Sequence, residues 1–137
     1  MMEVKIIRVS DNEFIDAQIK RGVKKNIPSI QDGWRFNFQK HSQKKDTQTY
    51  VLATNDNEDV IEGCLIFTMK DKIEPYMSFI EIAPHNRGNT KRYDLVAGCL
   101  ISFACWLSFT YGSGDYLGWL AFDVLEENEE DQIKLMT

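Results

Sequence analysis

The sequence predicts one α/β domain in which a mixed sheet carries a long hydrophobic helix, and three observations predict it. Short β-rich runs at Val4 to Val9, Thr49 to Thr54, Val60 to Met69 and Tyr76 to Ala83 are separated by polar turn residues. A stretch from about Tyr93 to Tyr111 has apolar residues at helical spacing. It lies between two runs that are apolar on both faces, Tyr76 to Ala83 and Tyr116 to Val124, which is the pattern of a right-handed β-α-β crossover with parallel strands. The 137 residues suit a single domain over 1–137, because a chain near this size buries about two-thirds of the surface it would expose unfolded.

Taken in order, Val4 to Val9 reads as a first strand. Ser10 and Glu13 have the spacing of a capping box, and Ile15, Ile19 and Val23 fall four apart on one face, so a helix is expected from there to Asn26, before Pro28. Trp34, Phe36 and Phe38 alternate like a strand, but the polar run Gln39 to Lys45 does not continue one; Ile30 to Lys45 is read as a short helix or irregular lid. Thr49 to Thr54 and Val60 to Met69 flank Asn-Asp-Asn-Glu-Asp, residues that bond their own backbone in turns, and should form an antiparallel hairpin.

In the next run Met77, Phe79, Glu81 and Ala83 share one face by strict alternation, and Tyr76, Ser78, Ile80 and Ile82 the other. Both faces are largely apolar, which predicts a strand inside the sheet. In the long helix, Val96, Ala97, Leu100, Ala104, Leu107 and Ser108 form one stripe, and Leu95, Cys99, Phe103 and Trp106 make the other side apolar too. A central helix covered on both sides is expected. Gly112, Ser113 and Gly114 stop it, and Glu126 to Asp131 followed by Ile133, Leu135 and Met136 reads as a last helix.

The net charge of −5 argues against a general nucleic-acid or membrane-surface binder, since those need a basic field. No run approaches the roughly 20 apolar residues of a membrane span, and Met-Met-Glu-Val-Lys has no signal-peptide core, so a cytoplasmic protein is expected. Cys64, Cys99 and Cys105 lie in apolar runs and read as buried free thiols. His41 and His85 are isolated, and no metal is implied.

The residues that carry a family likeness lie between 60 and 124. Val60-Ile61-Glu62-Gly63-Cys64-Leu65-Ile66-Phe67 resembles the third strand of the GNAT superfamily of N-acetyltransferases, where an apolar pair is followed by glycine and another apolar run. Tyr76 to Ala83, followed by Pro84-His85-Asn86-Arg87-Gly88, is similar to the family's fourth strand and the entry to its acyl-CoA loop. That loop carries Q/R-x-x-G-x-G/A in the family. Small residues there let backbone N–H groups at a helix N-terminus approach a pyrophosphate.

Counting from Pro84 puts Arg87 first, with Thr90 and Arg92 at the small positions; counting back from the helix core puts Arg92 first, Leu95 at the first glycine and Ala97 at the second small position. The second register satisfies one small-residue requirement and is preferred. An ordinary surface loop with solvated cations is the other reading of the same residues.

The resemblance implies a GNAT-like fold without its last strand pair, for which nothing in the sequence provides. It implies acetyl-CoA as co-substrate and direct attack of an unidentified amine on the thioester. The pantetheine arm would meet the backbone of Ile80, Ile82 and Ala83. Asn86, Arg87, Gly88, Arg92, Tyr93, Val96 and Ala97 would hold the diphosphate. Glu81, where several family members carry a general base, would assist deprotonation; pairing with a nearby Arg or Lys is the competing role. His85 is a second acid/base candidate or a solvated loop residue. The alternative is a catalytically inactive GNAT-like domain that binds a nucleotide or partner and forms a homodimer through its exposed edge.

Overall fold

The structure is a computed structural model and describes residues 1–122. β1 (Met2–Arg8) and β2 (Glu13–Arg21) form an antiparallel hairpin with Ile6 opposite Ile15 and Lys5 opposite Asp16. The helix expected over these residues is therefore a strand. Spacing of four fits a helix and an alternating strand equally, and here alternation wins: Ala17 and Ile19 are buried, while Asp16 faces outward and pairs with Lys5 at 2.7 Å. Ser10 and Glu13 bracket a turn rather than a cap. Arg8 holds Asp11, the Asp11 carboxylate accepts from the Glu13 amide at 3.2 Å, and Asn12 takes φ 59°.

Between 22 and 46 the chain is irregular, apart from a 3-10 turn at Ile30–Asp32 and the four-residue α1 (Phe38–His41), as the aromatic and polar pattern predicts for Ile30 to Lys45 but against the helix expected as far as Asn26. β3 (Thr47–Thr54) and β4 (Gly63–Lys70) form the expected antiparallel hairpin, and β5 (Glu74–Ile82) pairs with β4. A two-residue β6 (Tyr93–Asp94) pairs with β1, so the long helix α2 (Val96–Tyr111) begins later than its hydrophobic pattern suggests. The sheet order is β5-β4-β3-β2-β1-β6, antiparallel throughout.

β5 is the terminal strand of this sheet rather than an interior one. Among the described residues its outer side is paired only near its start, where Ala121 makes a parallel bridge to Tyr76 through Met77 N to Ala121 O at 2.8 Å and Ala121 N to Pro75 O at 3.1 Å. The parallel direction predicted for the crossover is present. The strand expected from Tyr116 is instead a 3-10 turn (Gly114–Tyr116) and this single bridge; its last two residues and the last predicted helix lie outside the described residues. β5 also carries one more residue than β4 opposite it, since Phe67 pairs with Met77 and Ile66 with Phe79. Ser78 is the bulged residue. It moves Met77 to the same side as Ile80 and Ile82, against the strict alternation expected, and leaves Phe79, Glu81 and Ala83 on the other.

Two apolar clusters lie on the two faces. Val96, Leu100, Phe103, Ala104 and Leu107 of α2 pack on Ile6, Ile19, Leu52, Leu65 and Met77. Ile27, Trp34 and Phe38 cover Val51, Cys64, Ile66 and Ala83 on the opposite face. The second side of α2 is not covered by the described residues: Ile101, Trp106 and Phe109 are exposed, and Cys105 beside them is exposed too. The chain leaving the helix runs to the edge of β5 instead of back across it. Cys64 alone is a fully buried thiol, which burial makes harder to ionise. No helix among the described residues is long and apolar enough to cross a membrane.

Candidate functional site

The entry of α2 meets the end of the β4–β5 pair at Gly63. A Cβ built on Gly63 would lie 2.6 Å from Val96 Cγ1 and 2.8 Å from Leu100 Cδ1. The missing side chain therefore seats the first helical turn directly on the residue paired with Ile82. The amides of Val96, Ala97 and Gly98 precede the first bond of the helix, from Cys99 N to Leu95 O at 3.0 Å, and no side chain caps them. They form a donor-rich helix entrance.

Leu95, the residue before that turn, has φ 72° and ψ 5°. This is the left-handed region that glycine adopts freely and a branched side chain only at a cost. Leu95 stands at the first glycine position of the preferred register, and its backbone has a conformation that glycine adopts freely. Its side chain is 45% exposed and does not plug the entrance. Leu95→Gly is expected to raise the unfolding free energy by about 1 kcal/mol through relief of this strain. Urea denaturation checks it, and a loss of stability would refute the strain argument.

The backbone of β5 turns alternate residues toward its open side. Ala83 N bonds Glu62 O at 2.9 Å, so Glu81 and Phe79 direct their amides and carbonyls to β4, and Ile80 and Ile82 direct theirs away. One of these outward groups is already engaged: Arg87 Nη2 donates to Ile82 O at 3.2 Å. The same guanidinium forms an ion pair with Glu81. Burial, then the neighbouring Arg35, pushes the Arg87 guanidinium below its ordinary value.

Glu81 is buried on the lid face, and its carboxylate is well supplied with donors. Arg35 N donates to Oε2 at 2.7 Å and Phe36 N to Oε1 at 2.9 Å, in addition to Arg87. One carboxylate therefore fastens the aromatic lid to β5. Phe36 then packs edge-on against Phe79 with ring centroids 5.2 Å apart.

A second buried carboxylate stands beside it. Glu62, opposite Ala83 at the start of β4, has a side chain 3% exposed. Its Oε1 meets His85 Nε2 at 2.5 Å and Asn86 Nδ2 at 3.0 Å. Asn86 also donates to Glu62 O at 3.1 Å and accepts from Tyr93 N at 3.0 Å. The Asn86 amide is thus committed to holding the loop, and Arg92 N to His85 O at 3.0 Å ties the same loop down. Gly88 is exposed at φ 72°, and Lys91 pairs with Asp94 at 3.4 Å.

Of the residues singled out from sequence, the fold brings Ile80, Glu81, Ile82, Ala83, Asn86 and Arg87 together, with Val96 touching this group through Gly63. Ala97 follows in the first helical turn. Tyr93 lies in β6 and Arg92 is exposed on the rim. Sequence reasoning missed Glu62, because an acidic residue before a glycine at a strand start looks solvated; its pairing with Ala83 is visible only once β4 and β5 are in register.

The lid carries one further titratable group. His41 stacks on Phe79 with centroids 4.1 Å apart and 17° between planes, and its Nδ1 is buried without a hydrogen-bond partner. Burial, then Lys44 and Lys40, lowers its proton affinity below the ordinary value of 6.5. The folded state thus binds fewer protons than the unfolded one. The contribution is complete above pH 6.5 and is lost as pH falls through the lower folded value. Stability is expected to decline below about pH 6.5, and His41→Phe should flatten that decline in urea titrations at pH 5 and 7.

No protein family and no curated protein matches the sequence. Among solved structures, the chain is similar to a ribosomal-protein-alanine N-acetyltransferase from Brucella melitensis biovar Abortus 2308. The TM-score is 0.54 and the identity 15%, over 87% of this chain and 86% of that one.

Proposed function

We propose, from a chain that has the GNAT N-acetyltransferase fold, that this protein transfers an acetyl group from acetyl-CoA to an amine by direct attack on the thioester. The observation that carries the reading is the seating of Val96 on Gly63, which sets uncapped helix amides at the end of a strand whose outward backbone groups at Ile80 and Ile82 lack a strand partner among the described residues. Diphosphate oxygens would accept from the amides of Val96 and Ala97, with Arg87, Gly88, Arg92 and Tyr93 around them. The pantetheine amides would pair with Ile80 and Ile82, next to Ala83, with Asn86 holding the loop in shape.

In this reading Arg87 turns from Glu81 and Ile82 O toward the diphosphate when the donor binds. The move frees a backbone acceptor for pantetheine and a carboxylate oxygen for the acceptor ammonium. Glu81 then assists deprotonation. The reaction R–NH3+ plus acetyl-CoA gives the amide, CoA thiol and one proton: one hydrogen of the ammonium ends on sulfur and one leaves. The structural neighbour is named for a ribosomal-protein alanine, so a short peptide beginning with alanine is the first acceptor to assay.

A second reading is a binding domain without turnover, favoured by one observation, that Glu81 already receives two amides and a guanidinium. Thermal and chemical denaturation with acetyl-CoA tests both. Donor at about 100 times its dissociation constant is expected to add ~2.7 kcal/mol. Absence of any shift rejects donor binding, and a shift without release of CoA thiol from acetyl-CoA in the presence of the alanine peptide favours the binding domain.

A further inference from the structure

Glu62 and Glu81 lie on the same face of the β4–β5 pair, because Glu62 is level with Ala83 and Cys64 is paired with Glu81. Both carboxylates are nearly out of contact with water, at 3% and 6% side-chain exposure. A proton taken up in this buried cluster needs a way out. Glu81 is enclosed by the lid amides and Arg87, and neither an amide nor a guanidinium passes a proton on. Two side chains join a buried carboxylate to solvent, Arg87 on Glu81 at 38% exposure and His85 on Glu62 at 33%, and only the imidazole of His85 can give up a proton.

An imidazole can hold a proton on either nitrogen, so a ring with one nitrogen held against Glu62 keeps the other for taking up a proton and releasing it to water. Asn86 binds the same oxygen of Glu62 as His85 does, which fixes that oxygen and hence the ring. Pro84 before His85 and the bond from Arg92 N to His85 O fix the backbone. A histidine at a loop surface does not require this support.

We infer that His85, positioned by Glu62, is the proton exit of the site: it receives the proton that acyl transfer releases from the acceptor nitrogen and delivers it to water. This rests on the acyl-transfer reading above. The balance is that of the reaction itself, with no oxidant, metal or further reactant. His85 handles the one proton that does not finish on CoA thiol, and returns to its starting state by losing it to buffer. Glu62 acts through the ring, so it is a positioning residue.

The test is thiol release from acetyl-CoA with the alanine-initial peptide, for the wild type, His85→Ala and Glu62→Gln, with and without added imidazole as a diffusible proton carrier. His85→Ala is expected to lower kcat at least tenfold while acetyl-CoA still stabilises the variant, and imidazole should restore activity in a saturable way. Glu62→Gln should lower kcat without rescue, because its ring is present but unaligned. His85→Asn, which keeps a polar side chain, covers the case in which alanine does not fold and should show the same rescue. An unchanged kcat in either His85 variant, or a loss that imidazole does not repair, overturns the inference while leaving acyl transfer intact. A wild type that binds acetyl-CoA and releases no thiol overturns acyl transfer, and the proton exit with it.

Discussion

Glu81→Ala is expected to lower the unfolding free energy by about 4 kcal/mol, the cost of removing one partner from a buried charged network. Three donors lose their acceptor at once: the amides of Arg35 and Phe36 and the Arg87 guanidinium. Water can reach Arg87, which is partly exposed, but the two amides point at the buried Glu81 side chain. Glu81→Gln keeps an oxygen for one amide and should cost about half as much. If both variants keep wild-type urea midpoints, the carboxylate does not anchor the lid. If glutamine abolishes turnover while costing little stability, its role as base gains the stronger support.

Gly63→Val is expected to cost about 3 kcal/mol, at the upper end of ordinary overpacking. Its Cβ would already stand within 2.8 Å of two buried side chains, and the methyls of valine add to the conflict. The helix must rise or slide to relieve it, and either motion withdraws the Val96 amide from the end of β5. Stabilisation by acetyl-CoA should fall along with the midpoint. Gly98→Ala is the control for stability: nothing lies within 4 Å of its Cβ, and alanine favours a helix by ~1 kcal/mol over glycine. A Gly63 variant of normal stability that still responds fully to acetyl-CoA would remove the helix seat from the binding account.

The sequence made the β3–β4 hairpin, β5 and the body of α2 readable because each combines an unambiguous period with polar turns. Residues 13–21 were misread because Ile15 and Ile19, four apart, satisfy both periods, and the decisive fact is cross-strand pairing with β1. The site was legible in part. The family resemblance, read along one strand and the loop after it, grouped Ile80, Glu81, Ile82 and Arg87, whereas Glu62 meets His85 and Asn86 across 23 and 24 residues, a distance no local pattern spans. The positive φ at Leu95 was hidden by the residue type, since a branched side chain rarely adopts it, although the preferred register sets a glycine position there.

Ser78 has a consequence for the shape of the molecule. It stands at the boundary between the part of β5 that is bridged to Ala121 and the part whose outer side is open, and an extra residue on one strand bends it and increases its twist. Excising Ser78 would make β4 and β5 equal in count and straighten the ribbon. The bend of this margin of the sheet is therefore set by arithmetic, one residue more on one strand than on the other, and the Ser78 hydroxyl, 2.7 Å from that of Thr68, pins the extra residue in place.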